Sequence, residues 1–118
     1  MREYATLDEA YRNDNYGSTT PEGTLALFVE ALKQGDANLA SKYFVVEKRD
    51  SGLAQIEMII KNNRIKEVEE ELQNYKEKHF SSDMMACVFS TYYLKEEAWS
   101  ETNFRLNKYS QKWLIESL

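Results

Sequence analysis

The sequence predicts an α+β fold, with N-terminal helices packed on one face of an antiparallel meander sheet of three or four strands. Three observations carry this. Helix cap and stop signals cluster before residue 80, the apolar period switches from 3.6 to 2 after Phe80, and the 118 residues contain one Pro and four Gly. Helices first and strands last is an α+β order, and a meander is the simplest antiparallel sheet. At this length one domain, 1–118, is expected, divided into an N-terminal segment (1–19), a helical part (20–80) and a sheet (84–118). A globule of this size has core enough without disulfide staples.

The N-terminal segment is polar and aromatic, with Tyr4, Tyr11 and Tyr16 among acids and amides. Ala5 to Arg12 reads as a short helix docked by Leu7, Ala10 and Tyr11, followed by a loop to Thr20. Thr19-Thr20-Pro21-Glu22 opens the next helix. Either Thr20 caps with Pro21 at the first helical position, or Thr19 pairs with Glu22 as a capping box. Leu25, Phe28, Val29 and Leu32 then recur on one helical face. Gly35 is the stop and Asp36 the cap of a second helix, burying Leu39, Ala40, Tyr43 and Phe44. Asp50 or Ser51 is expected to cap a third, through Leu53, Ile56, Ile59 and Ile60. The phase breaks at Asn62-Asn63 and resumes at Ile65, Val68, Leu72 and Tyr75, so a kink or short break is expected there.

Met84–Leu94, Trp99–Asn107 and Lys112–Leu118 alternate as strands. A turn at Glu96-Glu97 sets Leu94 opposite Trp99, Tyr92 opposite Glu101 and Val88 opposite Arg105. The second turn sets Trp113 opposite Leu106 and Ile115 opposite Phe104. Cys87, Phe89, Phe104, Trp113 and Ile115 then share the core face, and a one-residue slip would send them to solvent. Val88, Tyr92, Leu94, Trp99, Leu114 and Leu118 gather on the other face with Arg105. Six together exceed scatter. Either the N-terminal segment covers them or that face meets a second copy or a protein partner.

Composition excludes several functions. The formal charge is −5, and neither half is basic, with six basic against ten acidic residues in 1–60 and nine against ten in 61–118. A nucleic-acid binder needs a cationic face, so none is expected. No run approaches the ~18 apolar residues of a membrane span. Residues 1–20 lack the apolar stretch of a signal peptide, so an exported precursor would have shed its signal. The single Cys87 forms no internal disulfide and leaves the compartment open. The cap at Thr20 and the strand closing at Leu118 are expected to enclose a complete domain.

Candidate chemistry is sparse. His79, the one histidine, stands four residues before Asp83. Such a pair can orient a general base or supply metal ligands, but a histidine near a helix end also serves the last carbonyls, and that reading is favoured. Glu67, Glu69, Glu70 and Glu71 point in different directions on a helix, so a solvated face is favoured over a cation site. Cys87, with Met84 and Met85, falls in an apolar run and reads as packing. Tyr43, Tyr75 and Tyr93 lie on apolar stripes. A pocket between helices and sheet would offer hydroxyls and a thiol without an acid or base. Phosphate loop, dinucleotide fingerprint, nucleophile elbow and N-glycosylation sequon are all missing.

The run from Thr20 through Pro21, Glu22, Phe28, Ala31, Leu32 and Gly35 to Asp36 resembles the opening of nuclear transport factor 2-like (cystatin-like) domains. The pair Tyr43-Phe44 fits the end of their second helix, and Trp113-Leu114-Ile115 resembles their closing strand. The resemblance covers residues 19–118. It implies a curved sheet wrapped around helices with a cavity in the cone. Among isomerases, dehydratases and adaptors, the chain is most similar to small exported bacterial lipoprotein domains of unknown function, implying an extracytoplasmic place and a lipid anchor in the precursor. A cytoplasmic place is the alternative. The enzymes' catalytic aspartate and histidine have no matching position, so no catalytic residue is carried over.

The expected function is therefore non-catalytic binding or association, with no cofactor and no metal. Tyr92, Trp99 and Arg105 on the open face are the expected contact residues for a homodimer or protein partner, and a small apolar ligand is the other expected occupant. The alternative is a small isomerase- or dehydratase-type enzyme in which His79 or Asp83 faces Thr91 and Tyr93. Trp99→Glu is expected to weaken association, measured by analytical ultracentrifugation, while leaving the melting temperature nearly unchanged. A large loss of stability without a change in association would make Trp99 a core residue.

Overall fold

The structure, a computed structural model, describes the backbone of residues 2–93 and 98–118 and the side chains of residues 7–90 and 100–118. Helices α1 (Arg2–Arg12), α2 (Pro21–Lys33) and α3 (Ala37–Ser41) precede a 3-10 turn (Val46–Lys48), α4 (Arg49–Lys61) and α5 (Ile65–Gln73). Strands β1 (Glu77–Phe80), β2 (Ala86–Tyr93), β3 (Ala98–Asn107) and β4 (Lys112–Ser117) form one antiparallel sheet in sequence order.

The helix boundaries follow the local chemistry. Thr20 is extended (φ −130°) and its Oγ1 accepts the Gly23 N–H at 3.0 Å, with Pro21 as the first helical residue. α2 closes as a Schellman turn. Gly35 takes φ +71°, its N–H reaches the Leu32 carbonyl, and the Asp36 N–H reaches that of Ala31. Asp36 Oδ1 then accepts the Leu39 N–H at 3.0 Å and starts α3. The break expected at Asn62 is a second Schellman turn. Asn63 takes φ +56°, with Asn63 N–H to Ile60 O and Arg64 N–H to Ile59 O. α4 corrects the expected cap at Asp50 or Ser51. It begins at Arg49 straight out of the 3-10 turn, without a side-chain cap. Arg49 fixes that entry by donating Nε to Phe44 O and Nη2 to Lys42 O.

The sheet corrects two further expectations. Residues 77–80, assigned to the helical part, are strand β1, so His79 sits in an extended edge strand and not at a helix end. The helical stripe stops at Tyr75, whose ring stacks on Phe89 at 4.2 Å, and Lys76 N–H already bonds Ser90 O. Four residues, three of them charged or imidazole, are too short a run to display period two. The β2–β3 register is shifted by two residues: Tyr92 pairs with Trp99, Val88 with Asn103 and Ala86 with Arg105. A shift of two keeps every side chain on its own face, so hydrophobic alternation is blind to it. The β3–β4 register has Leu106 opposite Trp113 and Phe104 opposite Ile115, as expected, with a bulge at Asn103/Phe104.

The core lies between helices and sheet. Phe28, Leu32 and Ile56 from the helices meet Cys87, Phe89, Phe104 and Ile115 from the strands, all nearly or wholly buried. Phe80 of β1 and Trp113 of β4 meet edge to face at 5.7 Å although two strands separate them, so the sheet curls toward the helices. The outer edge of β4 is not left bare. Val45 N–H bonds Ile115 O, Ile115 N–H bonds Tyr43 O, and Trp113 N–H bonds Ser18 O.

Leu114, expected on the open face, is fully buried, yet it is not part of the core cluster. The segment around Gly17 crosses over it, where an added Cβ would stand 3.5 Å from Leu114 Cδ2. α1 is longer than the expected Ala5–Arg12, and polar contacts tie it to the 3-10 turn and to β3. Tyr11 Oη donates to Glu47 and accepts from Val46 N–H, Arg105 Nη1 donates to Glu47 at 2.7 Å, and Asn107 Nδ2 donates to Tyr11 O at 3.0 Å. Burial, and then the bond to Glu47, push the Tyr11 hydroxyl well above its ordinary range. Tyr11→Phe is expected to cost about 1.5 kcal/mol, read as a lower urea midpoint together with faster amide exchange along α1. An unchanged midpoint would show that α1 is held otherwise.

Partial burial alone would raise the Glu47 carboxyl, but the bonds from Tyr11 and Arg105 outweigh it and hold the group below the ordinary 4.5. A depressed carboxyl stabilises the fold above its unfolded pKa and loses that contribution as pH falls through its folded value. Protection of the α1 amides is therefore expected to be constant between about pH 5 and 9, to fall at acid pH as the Glu47 carboxyl is protonated, and to fall again at strongly alkaline pH as the Tyr11 hydroxyl ionises. Protection that is already lost between about pH 6 and 8, or that is insensitive to acid, would contradict this attachment.

Candidate functional site

The break between α4 and α5 opens a cleft of about 370 Å³ against the inner face of β3. The Schellman turn at Asn62–Arg64 separates α5 from α4, and residues of both helices and of β3 line the cleft. Ile59, Val68, Leu72 and Leu118 form an apolar floor continuous with the core. Gln55 and Asn62 stand on the α4 wall, Ser100 and Thr102 on the β3 wall, and Arg64 and Glu71 on the α5 side. The Gln55, Asn62, Ser100 and Thr102 side chains form no hydrogen bond with another described residue. Two amides and two hydroxyls thus line the cleft without a hydrogen-bond partner among the described residues. Met58, 56% exposed, stands at the lip. A shallower cleft of about 290 Å³ shares Gln55 and Leu118 and continues toward Lys48 and Glu116.

The ionisable side chains of the lining are Arg64 and Glu71. Arg64 is already forked by Glu67, through Nε to Oε2 at 3.2 Å and Nη2 to Oε1 at 2.9 Å. Glu69 lies 3.7 Å from Lys33. The acidic run of α5 therefore diverges, and Glu71 alone of Glu67, Glu69, Glu70 and Glu71 lines the cleft.

The other candidates lie elsewhere. His79 is exposed and 3.7 Å from Glu77 on the outer side of β1. Asp83 instead ties the β1–β2 turn, accepting from Ser81 Oγ at 2.6 Å and Met85 N–H at 2.9 Å. Those bonds, the Ser81 one foremost, hold its carboxyl below the ordinary range. His79 and Asp83 are not brought together. Cys87 is 1% exposed, and burial pushes its thiol up to about 11, which makes it unreactive. Tyr43 is buried beside Tyr16, and Tyr75 is half-buried on Phe89.

Of the three expected contact residues, Arg105 is ion-paired on both sides, to Glu47 at 2.7 Å and Glu116 at 3.2 Å. It borders a cleft of about 190 Å³ beneath α1 with Asp8, Tyr11 and Tyr109. The side chains of Tyr92 and Trp99, like those of Thr91 and Tyr93, lie outside the described residues. Sequence reasoning did not find Gln55, Asn62, Ser100 or Thr102. Two signals pointed there: the phase break at Asn62, and hydroxyl residues at core-facing positions of β3 where apolar ones pack the rest.

Among the described residues, no helix is long and apolar enough to cross a membrane, and no group of three His, Cys, Asp or Glu side chains could hold a metal ion. Comparison with family models, curated proteins and solved structures returned no match.

Proposed function

We propose that this chain is a non-catalytic binding domain that holds a small amphipathic ligand in the cleft between α4, α5 and β3. The observation that carries this is the convergence of four uncommitted neutral side chains, Gln55, Asn62, Ser100 and Thr102, over an apolar floor. Ligand sites are concave and carry polar groups that fix orientation, and their volumes start near ~300 Å³. A cleft of about 370 Å³ suits a ligand of one ring or a short alkyl chain. Amides and hydroxyls recognise, whereas proton transfer needs an acid and a base in mutual reach. Arg64, committed to Glu67, does not form such a pair with Glu71.

The nuclear transport factor 2-like resemblance supports the same reading, since it implies a ligand cavity where helices meet a curved sheet. Placement outside the cytoplasm is part of the proposal and rests on that resemblance alone. Ser100→Phe tests it by filling the cleft from a half-buried strand position. The melting temperature is expected to stay within about 3 °C. Binding of 2-phenylethanol, measured by calorimetry, is expected to weaken at least tenfold. Equal binding by wild type and variant would place the ligand elsewhere and overturn the proposal.

A further inference from the structure

The charged side chains that line the cleft balance in number but are not equally free. The lining includes one cation and one anion, but Arg64 is held bidentately by Glu67 from outside the lining. Glu71 is half-buried on the cleft wall and forms no ion pair or side-chain hydrogen bond with another described residue. Glu71 acts on Arg64 through space, without a hydrogen bond between them. A guanidinium has one fork, and here Glu67 occupies it. The Arg64, Glu67 and Glu71 trio is therefore net negative, and the carboxylate with bonding capacity left is the one beside the apolar floor.

We propose that the ligand is a small organic cation, an ammonium group carried on an apolar body, with Glu71 as the residue that selects the charge. This rests on the cleft being the binding site, as proposed above. The apolar body lies on Ile59, Val68 and Leu72, and the ammonium donates to the Glu71 carboxylate. An ammonium has three N–H donors, and the amide oxygens of Gln55 and Asn62 are acceptors on the facing wall. An anionic ligand meets the opposite situation. Its carboxylate would have to draw Arg64 off Glu67 while approaching Glu71, which costs affinity twice.

Three probes of nearly equal shape separate the ideas: 2-phenylethylammonium, 2-phenylethanol and 3-phenylpropanoate, titrated at pH 7 and low salt with amide shifts read across α4, α5 and β3. The ammonium is expected to bind about fivefold tighter than the alcohol, the scale of a half-exposed ion pair, and the carboxylate weakest. Glu71→Gln is expected to bring the ammonium to the affinity of the alcohol and leave the alcohol unchanged. In 0.5 M salt the wild-type preference should shrink. If alcohol and ammonium bind equally at the cleft in wild type, the choice of a cation falls while the cleft reading stands. If no probe moves the cleft amides at millimolar concentration, both fall together.

Discussion

Arg49→Met is expected to destabilise the protein by about 3 kcal/mol, as removal of one partner from a buried ion pair does. Arg49 donates to Asp14 Oδ1 at 2.8 Å, with the two side chains only 18% and 4% exposed. It also satisfies the Phe44 and Lys42 carbonyls, and its guanidinium lies 5.5 Å over the Tyr16 ring. One side chain thus ties the N-terminal loop to the entry of α4. Methionine restores the bulk but leaves Asp14 buried without a counter-charge, and Asp14 Oδ2 already has no partner among the described residues. The double variant Asp14→Asn with Arg49→Met is expected to recover at least half the loss, because the stranded charge goes with it. Urea titration decides. A single variant within 0.5 kcal/mol of wild type would mean the pair is solvated and does not hold the loop.

Gly17→Ala is the second large effect, expected at about 2 kcal/mol or more. At φ +102° an L side chain is strained, and the added Cβ would stand 2.2 Å from the Trp113 carbonyl oxygen. That oxygen accepts the Thr24 hydroxyl at 2.8 Å and belongs to β4, so it cannot retreat without pulling the strand. Gly35→Ala is the control. It shares the left-handed backbone, with φ +71°, but meets nothing within 4 Å, so it is expected to cost about 1 kcal/mol. The difference between the two denaturation midpoints measures the clash at Gly17. Equal losses would show that the segment bridging Ser18 to Trp113 is free to shift.

Most of the architecture was legible because the relevant signals are local. Thr20-Pro21, Gly35-Asp36 and Asn62-Asn63 specify caps and stops from within three or four residues, and all three punctuate the fold where expected. Alternation placed Cys87, Phe89, Phe104, Trp113 and Ile115 in the core for the same reason. What escaped is non-local. β1 forms because Lys76 finds Ser90 and Tyr75 finds Phe89, partners that no window around residue 77 contains. Leu114 alternates like an outward residue and is outward, yet it is buried because Gly17 crosses over it. The two-residue register shift lies beyond any pattern of period two.

The cleft was illegible for a related reason. Gln55, Asn62 and Thr102 are unremarkable one at a time, and a sequence does not state that a helix break will face a strand forty residues further on. The candidates that chemistry singled out, His79, Asp83 and Cys87, are accounted for by an edge strand, a turn and the core. Residues with conspicuous chemistry went to structure, and residues with ordinary chemistry assembled the cavity.

The most direct test of the cleft as binding site is amide shift mapping of the whole chain against a library of small amphipathic fragments, without regard to charge. The account predicts that the responding amides cluster on Gln55–Asn62, Val68–Leu72, Ser100–Thr102 and Leu118, and that Ser100→Phe silences them. Responses confined to the outer face around Arg105 and Tyr109, or unchanged in Ser100→Phe, would contradict it.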